Sequence, residues 1–192
     1  MDTASLGLDQ AAAAFADAAL GGGLSPEADA LITQAGLLRH QPSQALALLE
    51  KARAAAPRHP VPLIALYRFY FYGHQLEKAR AAGVDALAIA RTALGPDFGD
   101  QPPSDDQTRH DAAVRFYLFT LKGLAYLNLR LGDLDEARLM LGELRRLDAQ
   151  DHVGAALLGH VLARAQANGD PVAEADTSPA AYPVRGWGDL SW

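Results

Sequence analysis

Three short stretches of the chain repeat one pattern: a polar turn, the start of a helix, and an alanine about one and a half turns into that helix. The alanines are Ala45, Ala79 and Ala137. The first two lie 34 positions apart, and the next interval of 58 equals one such period plus a 24-residue insertion. A 34-residue period of paired helices is typical of stacked helical hairpins, which bury a core only between neighbours. The spacing therefore predicts an all-α solenoid of about three repeats.

Glycines, prolines and N-cap residues divide the chain into segments. Gly21-Gly22-Gly23 ends an alanine-rich helix, and Ser25 followed by Pro26 begins the next, because serine caps helices and proline suits the first turn. The predicted helices are 8–20, 26–39, 42–56, 60–73, 75–94, 109–131, 133–147 and 152–167. The last is expected to cap the third repeat, with Asp151 as its N-cap.

Composition divides the chain into three regions. Residues 1–23 form an N-terminal helix and glycine linker, 24–168 form the helical-hairpin domain, and 169–192 form an extended tail. Gly, Pro and Asp dominate 95–108, which is therefore predicted to be a loop insertion. Its length is unusual for a connection between packed helices, so the loop is either functional or only mobile.

Charge and cysteine content exclude several classes of function. The net charge is −6 and the isoelectric point is near 5.4, which argues against a nucleic-acid partner because phosphate binding needs a basic face. The absence of cysteine removes disulfides, thiolate metal sites and cysteine nucleophiles. Neither a basic leader nor an apolar run of about 18 residues is present, so we expect no secretory signal, no membrane span and a cytoplasmic location.

The repeat units resemble the tetratricopeptide repeat (TPR) family over roughly residues 26–150. The matching positions are Ile32, Ala45, Leu49 and Pro57 in unit one, Leu66, Tyr70, Ala79 and Ala86 in unit two, and Leu124, Ala125, Ala137 and Leu141 in unit three. The match departs from the family pattern at Tyr67, where a small residue is expected, and at Gly83, where a bulky one is expected. We hypothesise that these two departures form one compensated packing change. Asn128 replaces the usual aromatic residue in unit three.

Two runs suggest a narrower resemblance. Residues 60–72 and 124–134 look like the small TPR proteins encoded in bacterial nitrogen-fixation gene clusters. This resemblance implies a protein partner that is a nitrogenase component or a nitrogenase assembly factor. It implies a role in protecting, holding or regulating that partner. The alternatives are a general TPR adaptor unrelated to nitrogen fixation and a structural protein that self-associates as a homo-oligomer.

The candidate partner-binding site is the inner groove of units two and three. If the repeat geometry of the family holds, aromatic and basic side chains line it, and such side chains dominate binding hot spots. Packing within the core is the alternative interpretation of the aromatic residues. The pattern does not match the carboxylate clamp of chaperone-binding TPR proteins. The expected lining residues are Arg68, Phe71, Tyr72, Lys122, Tyr126 and Arg130.

Both tryptophans of the chain, Trp187 and Trp192, lie in its last six residues. Tryptophan exposes a large apolar area when it is solvated, so two in one tail call for an explanation. The tail either folds back on the domain, docks on a partner as a linear motif, or is disordered. We include both tryptophans among the candidate partner-binding residues.

Catalytic and cofactor motifs are absent from the sequence. None of the six histidines has another histidine three or four positions away, the spacing favoured for helical metal sites. Gly21-Gly22-Gly23 is not followed by the residues of a phosphate-binding loop, and the chain has no Gly-x-Ser-x-Gly nucleophile motif. We therefore expect no enzyme activity, no cofactor and no metal.

Overall fold

The computed structural model describes residues 3–20 and 23–168, with side chains described for 7–20 and 23–167. This part of the chain is all-helical and contains no strand, which confirms the predicted fold class. The helices are α1 (Thr3–Ala19), α2 (Pro26–Leu37), α3 (Pro42–Ala55), α4 (Pro60–Tyr72), α5 (Leu76–Leu94), α6 (Asp105–His110), α7 (Ala112–Leu131), α8 (Leu134–Leu147) and α9 (Ala156–Asn168). The remaining residues include part of the predicted glycine linker and the whole predicted tail, which lie outside the described residues.

Consecutive helices pack as pairs, and the pairs stack on each other. The pairs are α2 with α3, α4 with α5, and α7 with α8. Contacts of α3 with α4 and of α5 with α7 join one pair to the next, and α9 covers α8. This arrangement is the helical-hairpin solenoid with a C-terminal capping helix that the 34-residue spacing predicts.

The three repeated alanines explain how closely the helices approach. Ala45, Ala79 and Ala137 are 2%, 0% and 0% exposed. Each lies in the first or second turn of the second helix of its pair, where a larger side chain would push the two helices apart. The sequence period therefore marks the contact between the paired helices.

Local chemistry sets the ends of the helices. The Ser25 hydroxyl accepts a hydrogen bond from the Ala28 amide at 3.3 Å, which confirms Ser25 as the N-cap of α2. The Asp111 carboxylate accepts from the amides of Ala113 and Val114, both at 2.9 Å. Gly132 ends α7 in the left-handed conformation, with φ of 82°, which glycine adopts without strain.

The predicted loop 95–108 needs one correction, because its last residues belong to a helix. α6 begins at Asp105, and Ser104 and Gln107 form a capping box around its start. The Ser104 hydroxyl accepts from the Gln107 amide at 3.2 Å, and the Gln107 side chain accepts from the Ser104 amide at 2.9 Å. α6 ends at His110 and Asp111 caps the start of α7, so α7 starts a few residues later than predicted.

The start of α9 differs in a related way. Asp151 was the predicted N-cap of a helix from 152, but α9 begins at Ala156. Asp151 has a positive φ of 57°. Its carboxylate nevertheless accepts hydrogen bonds from the amides of Ala155, at 2.5 Å, and Ala156, at 3.1 Å. Asp151 therefore does satisfy amides at the start of α9, although it lies in a turn further upstream than predicted.

The N-terminal helix lies against the first helices of units two and three. α1 contacts α7 and α4, and it presents an apolar stripe spaced as helical faces are, namely Leu8, Ala11, Ala12, Phe15 and Ala16. Phe15 is fully buried, and its ring centroid lies 5.0 Å from that of Phe116 on α7. α1 therefore forms part of the main core and packs against both α4 and α7.

No helix of the described segments is long and apolar enough to cross a membrane.

Candidate functional site

Five of the predicted groove residues form one contiguous surface cluster, which we call the aromatic–arginine cluster. Its members come from the C-terminal halves of α4 and α7, and Asp9 of α1 contacts one of them, Arg68. The Phe71 ring centroid lies 5.4 Å from that of Tyr72 and 5.9 Å from that of Tyr126. The cluster comprises Arg68, Phe71, Tyr72, Tyr126 and Arg130.

The two arginines lie over aromatic faces on either side of the cluster. The Arg68 guanidinium carbon is 5.9 Å from the Tyr72 ring centroid, and that of Arg130 is 5.9 Å from the Tyr126 ring centroid. Arg130 also donates a hydrogen bond to the Tyr126 hydroxyl at 3.1 Å. These distances suit cation–π attraction. The contacts therefore hold the charged groups in place beside the aromatic rings.

Tyr72 is the most accessible side chain of the aromatic–arginine cluster. It is 44% exposed, whereas the other four members are partly buried. Beside Tyr72 a cavity of about 360 Å³ opens between units one and two. Phe69 and Leu49 contribute apolar walls, and Arg39 and Gln75 contribute polar groups. The most exposed aromatic ring thus adjoins a cavity that could receive a partner's side chain.

Lys122, the sixth predicted lining residue, has a described contact elsewhere in the fold. It lies on α7, and its ammonium donates a hydrogen bond to the Val153 carbonyl at 2.6 Å. This bond ties α7 to the connection between α8 and α9. Lys122 therefore has a structural role besides the partner contact that the sequence predicts for it. Trp187 and Trp192 lie outside the described residues.

Tyr67 belongs beside the cluster, although the prediction of the site left it out. Its ring is parallel to that of Phe71 within 2°, at a centroid distance of 6.2 Å. A Cβ atom added to Gly83 on α5 would lie 3.4 Å from the Tyr67 ring, and one added to Gly123 on α7 would lie 3.0 Å from its hydroxyl. Two glycines therefore make room for Tyr67, and its proximity to Gly83 supports the hypothesis of a compensated packing change.

The second residue that the sequence did not identify is Asp9 of α1. Its carboxylate forms an ion pair and hydrogen bond with Arg68. Burial raises the pKa of the Asp9 carboxyl, while Arg68 acts in the opposite direction. The apolar spacing of α1 signals that this helix must pack somewhere, but only tertiary structure shows that it packs beside Arg68. Arg68 therefore serves both the cluster and the attachment of α1.

Asn128, where unit three lacks an aromatic residue, is fully buried within a polar network. Its amide nitrogen donates to the Leu124 carbonyl at 2.9 Å, and its oxygen accepts from Arg80 of α5 at 3.0 Å. Arg80 also pairs with Asp133, at the turn before α8. The network joins units two and three by linking α5 to the end of α7 and to the turn before α8.

Two histidines, His59 and His152, hold helix starts and connections. His59 caps α4 by accepting a hydrogen bond from the Val61 amide at 3.3 Å. His152 lies 2.7 Å from the Asp105 carboxylate and links α6 to the turn before α9. This hydrogen bond is the main cause of a lowered pKa for Asp105. Among the described residues, no group of three or more histidine, aspartate or glutamate side chains is placed to hold a metal ion.

Comparison with known proteins finds a relative from a nitrogen-fixation gene region. No family model matches the chain, and no solved structure matches it. The chain is 37% identical over 129 residues to an uncharacterized 19.8 kDa protein in the nifW 5' region of Azotobacter chroococcum mcd 1. The aligned residues cover 60% of this chain and 67% of that protein. The chain therefore belongs to the same family as this uncharacterized protein from a nitrogen-fixation gene region.

Proposed function

We propose that the chain is a non-catalytic, TPR-type protein-binding module and that it contacts its partner through the aromatic–arginine cluster. The observation that carries this proposal is the convergence of three aromatic rings and two arginines from α4 and α7 on one surface beside α1. Aromatic residues and arginine are enriched at the energetic centres of protein interfaces.

The cluster has the physical properties that a stable contact needs. Its aromatic rings support one another, and both arginines rest on rings, so little conformational freedom remains to be lost on binding. Arg130 gives this face positive charge on a chain whose net charge is −6, whereas the charge of Arg68 is balanced by its ion pair with Asp9. An acidic or polar patch with an apolar centre is the complementary partner surface.

The genomic setting of the relative supports a partner from nitrogen fixation. Its printed description places it in the nifW 5' region. We propose that the partner of this chain is a nitrogenase component or an assembly factor, which the chain protects, holds or regulates. A general adaptor unrelated to nitrogen fixation is the alternative, and the experiment below separates the two.

A tagged chain should be recovered from its native cells grown with and without fixed nitrogen, and its bound proteins identified by mass spectrometry. Recovery of nitrogenase or maturation proteins only under fixing conditions supports the proposal. Recovery of the same unrelated proteins under both conditions identifies the adaptor instead. The bait should be compared with Tyr72→Ala and Arg130→Ala variants, and with Arg145→Ala on α8 as an exposed arginine outside the cluster.

The variants test the surface independently of the partner's name. Tyr72 is the best single position, because it is the most exposed member and its removal disturbs packing least. Arg68→Ala is less informative, since it also breaks the ion pair with Asp9. If binding survives both Tyr72→Ala and Arg130→Ala at the level of Arg145→Ala, the cluster is not the interface. Deletion of 182–192 tests the predicted contribution of the two tryptophans.

A further inference from the structure

The aromatic–arginine cluster contains a row of three rings against which further aromatic groups can pack. The centroids of Tyr72, Phe71 and Tyr126 follow one another at 5.4 and 5.9 Å. Tyr72 at one end of the row is 44% exposed, and beside it opens the cavity of about 360 Å³ between units one and two. Aromatic rings attract one another in offset and edge-to-face pairs. A ligand with two aromatic side chains at a short spacing therefore suits this row.

Residues 182–192 of the chain are a segment of this kind. Trp187 and Trp192 are five positions apart, and five extended residues span at most about 17 Å. The two tryptophan rings can therefore reach both ends of the row. A tryptophan side chain has about 150–250 Å² to bury, and leaving that apolar area in water is unfavourable. The segment thus needs an apolar surface of the type that the row provides.

The charges of the two parts are complementary. Residues 169–192 contain four acidic side chains and one arginine, a net charge of −3. Arg130 carries positive charge at the cluster and lies over the Tyr126 ring. Asp189 lies between the two tryptophans in the sequence, so it can face Arg130 when both rings pack on the row. Opposite charges that face each other fix the register of a contact.

The chain leaves α9 at the end of unit three that carries the cluster. Gln166 in the last turn of α9 lies beside Arg138 of α8, and with its amide oxygen turned towards Arg138 it accepts from Nε at 3.1 Å. Arg138 is in the second turn of α8, which begins directly after the turn that follows α7. The end of α9 is therefore near the end of α7, where Arg130 lies. Residues 169–186 can cover the remaining distance, since a chain of that length reaches about 60 Å when extended.

We propose that residues 182–192 dock on the aromatic–arginine cluster of the same chain. The two tryptophan rings pack along the row of aromatic rings, and Asp189 lies opposite Arg130. The docked segment then covers the surface that a partner would use. A partner that displaces it needs the same chemistry, namely acidic groups beside exposed aromatic side chains. Only this consequence for the partner rests on the proposed function, because the docking itself needs no partner.

Tryptophan fluorescence of the full chain reports this contact directly, because both tryptophans lie in the proposed segment. We expect emission that is blue-shifted from that of N-acetyltryptophanamide and less quenched by acrylamide. Tyr72→Ala and Arg130→Ala should move both values towards those of the free amide. Arg145→Ala, an exposed arginine of α8 outside the cluster, should not. Circular dichroism of each variant ensures that a change in emission is not a loss of folding.

Three results overturn the proposal. Emission and quenching equal to those of N-acetyltryptophanamide mean that the tryptophans are solvated. Protected tryptophans that respond equally to Tyr72→Ala, Arg130→Ala and Arg145→Ala mean that the segment docks elsewhere. Emission that returns to the solvated value on dilution means that the segment binds a second copy, whereas emission independent of concentration supports docking within one chain.

A peptide of residues 182–192 tests the recognition separately. The full chain with both Trp187→Ala and Trp192→Ala contains no tryptophan, so the emission of the added peptide reports the peptide alone. We expect saturable binding with a blue shift. Asp189→Asn in the peptide should lower affinity about two- to fivefold, the size expected for one exposed ion pair. A peptide of the same composition in scrambled order should bind more weakly, and equal binding would overturn the proposal.

The consequence for the partner is measured with the same tryptophan-free variant. If the docked segment covers the partner's surface, this variant should recover more of the proposed partner from native cells than the unsubstituted chain does. Docking shown by fluorescence without a rise in recovery would uphold the docked segment and reject the cluster as the partner's surface. Solvated tryptophans, together with a recovery that Tyr72→Ala still lowers, would reject the docking and uphold the proposed function.

Discussion

The packing of Tyr67 between two glycines gives a prediction that can be tested by a double-mutant cycle. Tyr67 stands where the repeat pattern has a small residue, and Gly83 stands where it has a bulky one. A Cβ atom on Gly83 would lie 3.4 Å from the Tyr67 ring and 2.8 Å from the Leu124 side chain. The two positions therefore share one space, and exchanging the large and small residues should restore part of the lost packing.

The expected magnitudes follow from this geometry. Tyr67→Ala should destabilise the fold by about 2–4 kcal/mol, slightly less than for a fully buried aromatic residue, because the ring is partly exposed. Gly83→Leu should cost about 1–3 kcal/mol, because Leu124 and the Tyr67 ring already occupy the space. In the double variant the leucine fills the volume vacated by the tyrosine. Its cost should be smaller than the sum of the single costs by at least about 1 kcal/mol.

Urea unfolding followed by circular dichroism measures all four members of the cycle. Gly142→Leu serves as the control, because Gly142 is exposed on α8 and a Cβ atom there has open space around it. Its effect should add to that of Tyr67→Ala without coupling. If the costs of Gly83→Leu and Tyr67→Ala also add within about 0.5 kcal/mol, the two positions do not share one space.

Three further predictions concern the buried groups of the fold. Burial lowers the pKa of His59 below the unfolded value of about 6.5, so the unfolded chain takes up the proton first as the pH falls. The contribution of His59 to stability should therefore be complete above that pH and decrease below it. Thermal melts across this range should show a smaller decrease in stability for His59→Asn. Arg80→Met should cost about 1–3 kcal/mol, because the buried Asn128 oxygen loses its donor, and a larger urea midpoint shift than for exposed Arg145→Met would show it. Phe15→Ala should cost about 3–5 kcal/mol in chemical denaturation, since the ring is fully buried against α7, and a neutral result would mean that α1 is not part of the core.

The sequence was sufficient for the hairpins because their determinants are local. Each determinant acts within a few residues of its own helix, as the alanines at the 34-residue spacing, Ser25 and Pro57 do. α6 was missed because it is only six residues long and lies in a segment rich in glycine, proline and aspartate. A helix so short is unstable alone. The Ser104–Gln107 capping box was the readable signal of its start.

Only the part of the candidate site that follows from repeat geometry could be predicted from the sequence. Phe71 and Tyr126 are far apart in the chain, and their proximity follows from placing α4 beside α7 in the stack. The sequence could not show that Lys122 reaches the Val153 carbonyl, because that contact depends on how the chain turns between α8 and α9. It could not show the pairing of Asp9 with Arg68 for the same reason.

The position of α1 decides how much of the inner face a partner can use. Phe15 and the alanines beside it pack against α4 and α7 and occupy surface that a ligand would otherwise reach. Displacing α1 would expose the ring of Phe116 and leave the partly buried charge of Arg68 without Asp9, and both changes are unfavourable. A partner is therefore expected to bind beyond α1, at the aromatic–arginine cluster, and not to replace it. The same packing makes a cavity beside His59, because α1 forms one of its walls. One helix thus limits the protein-binding face and encloses this cavity of about 400 Å³ together with α2 and α4.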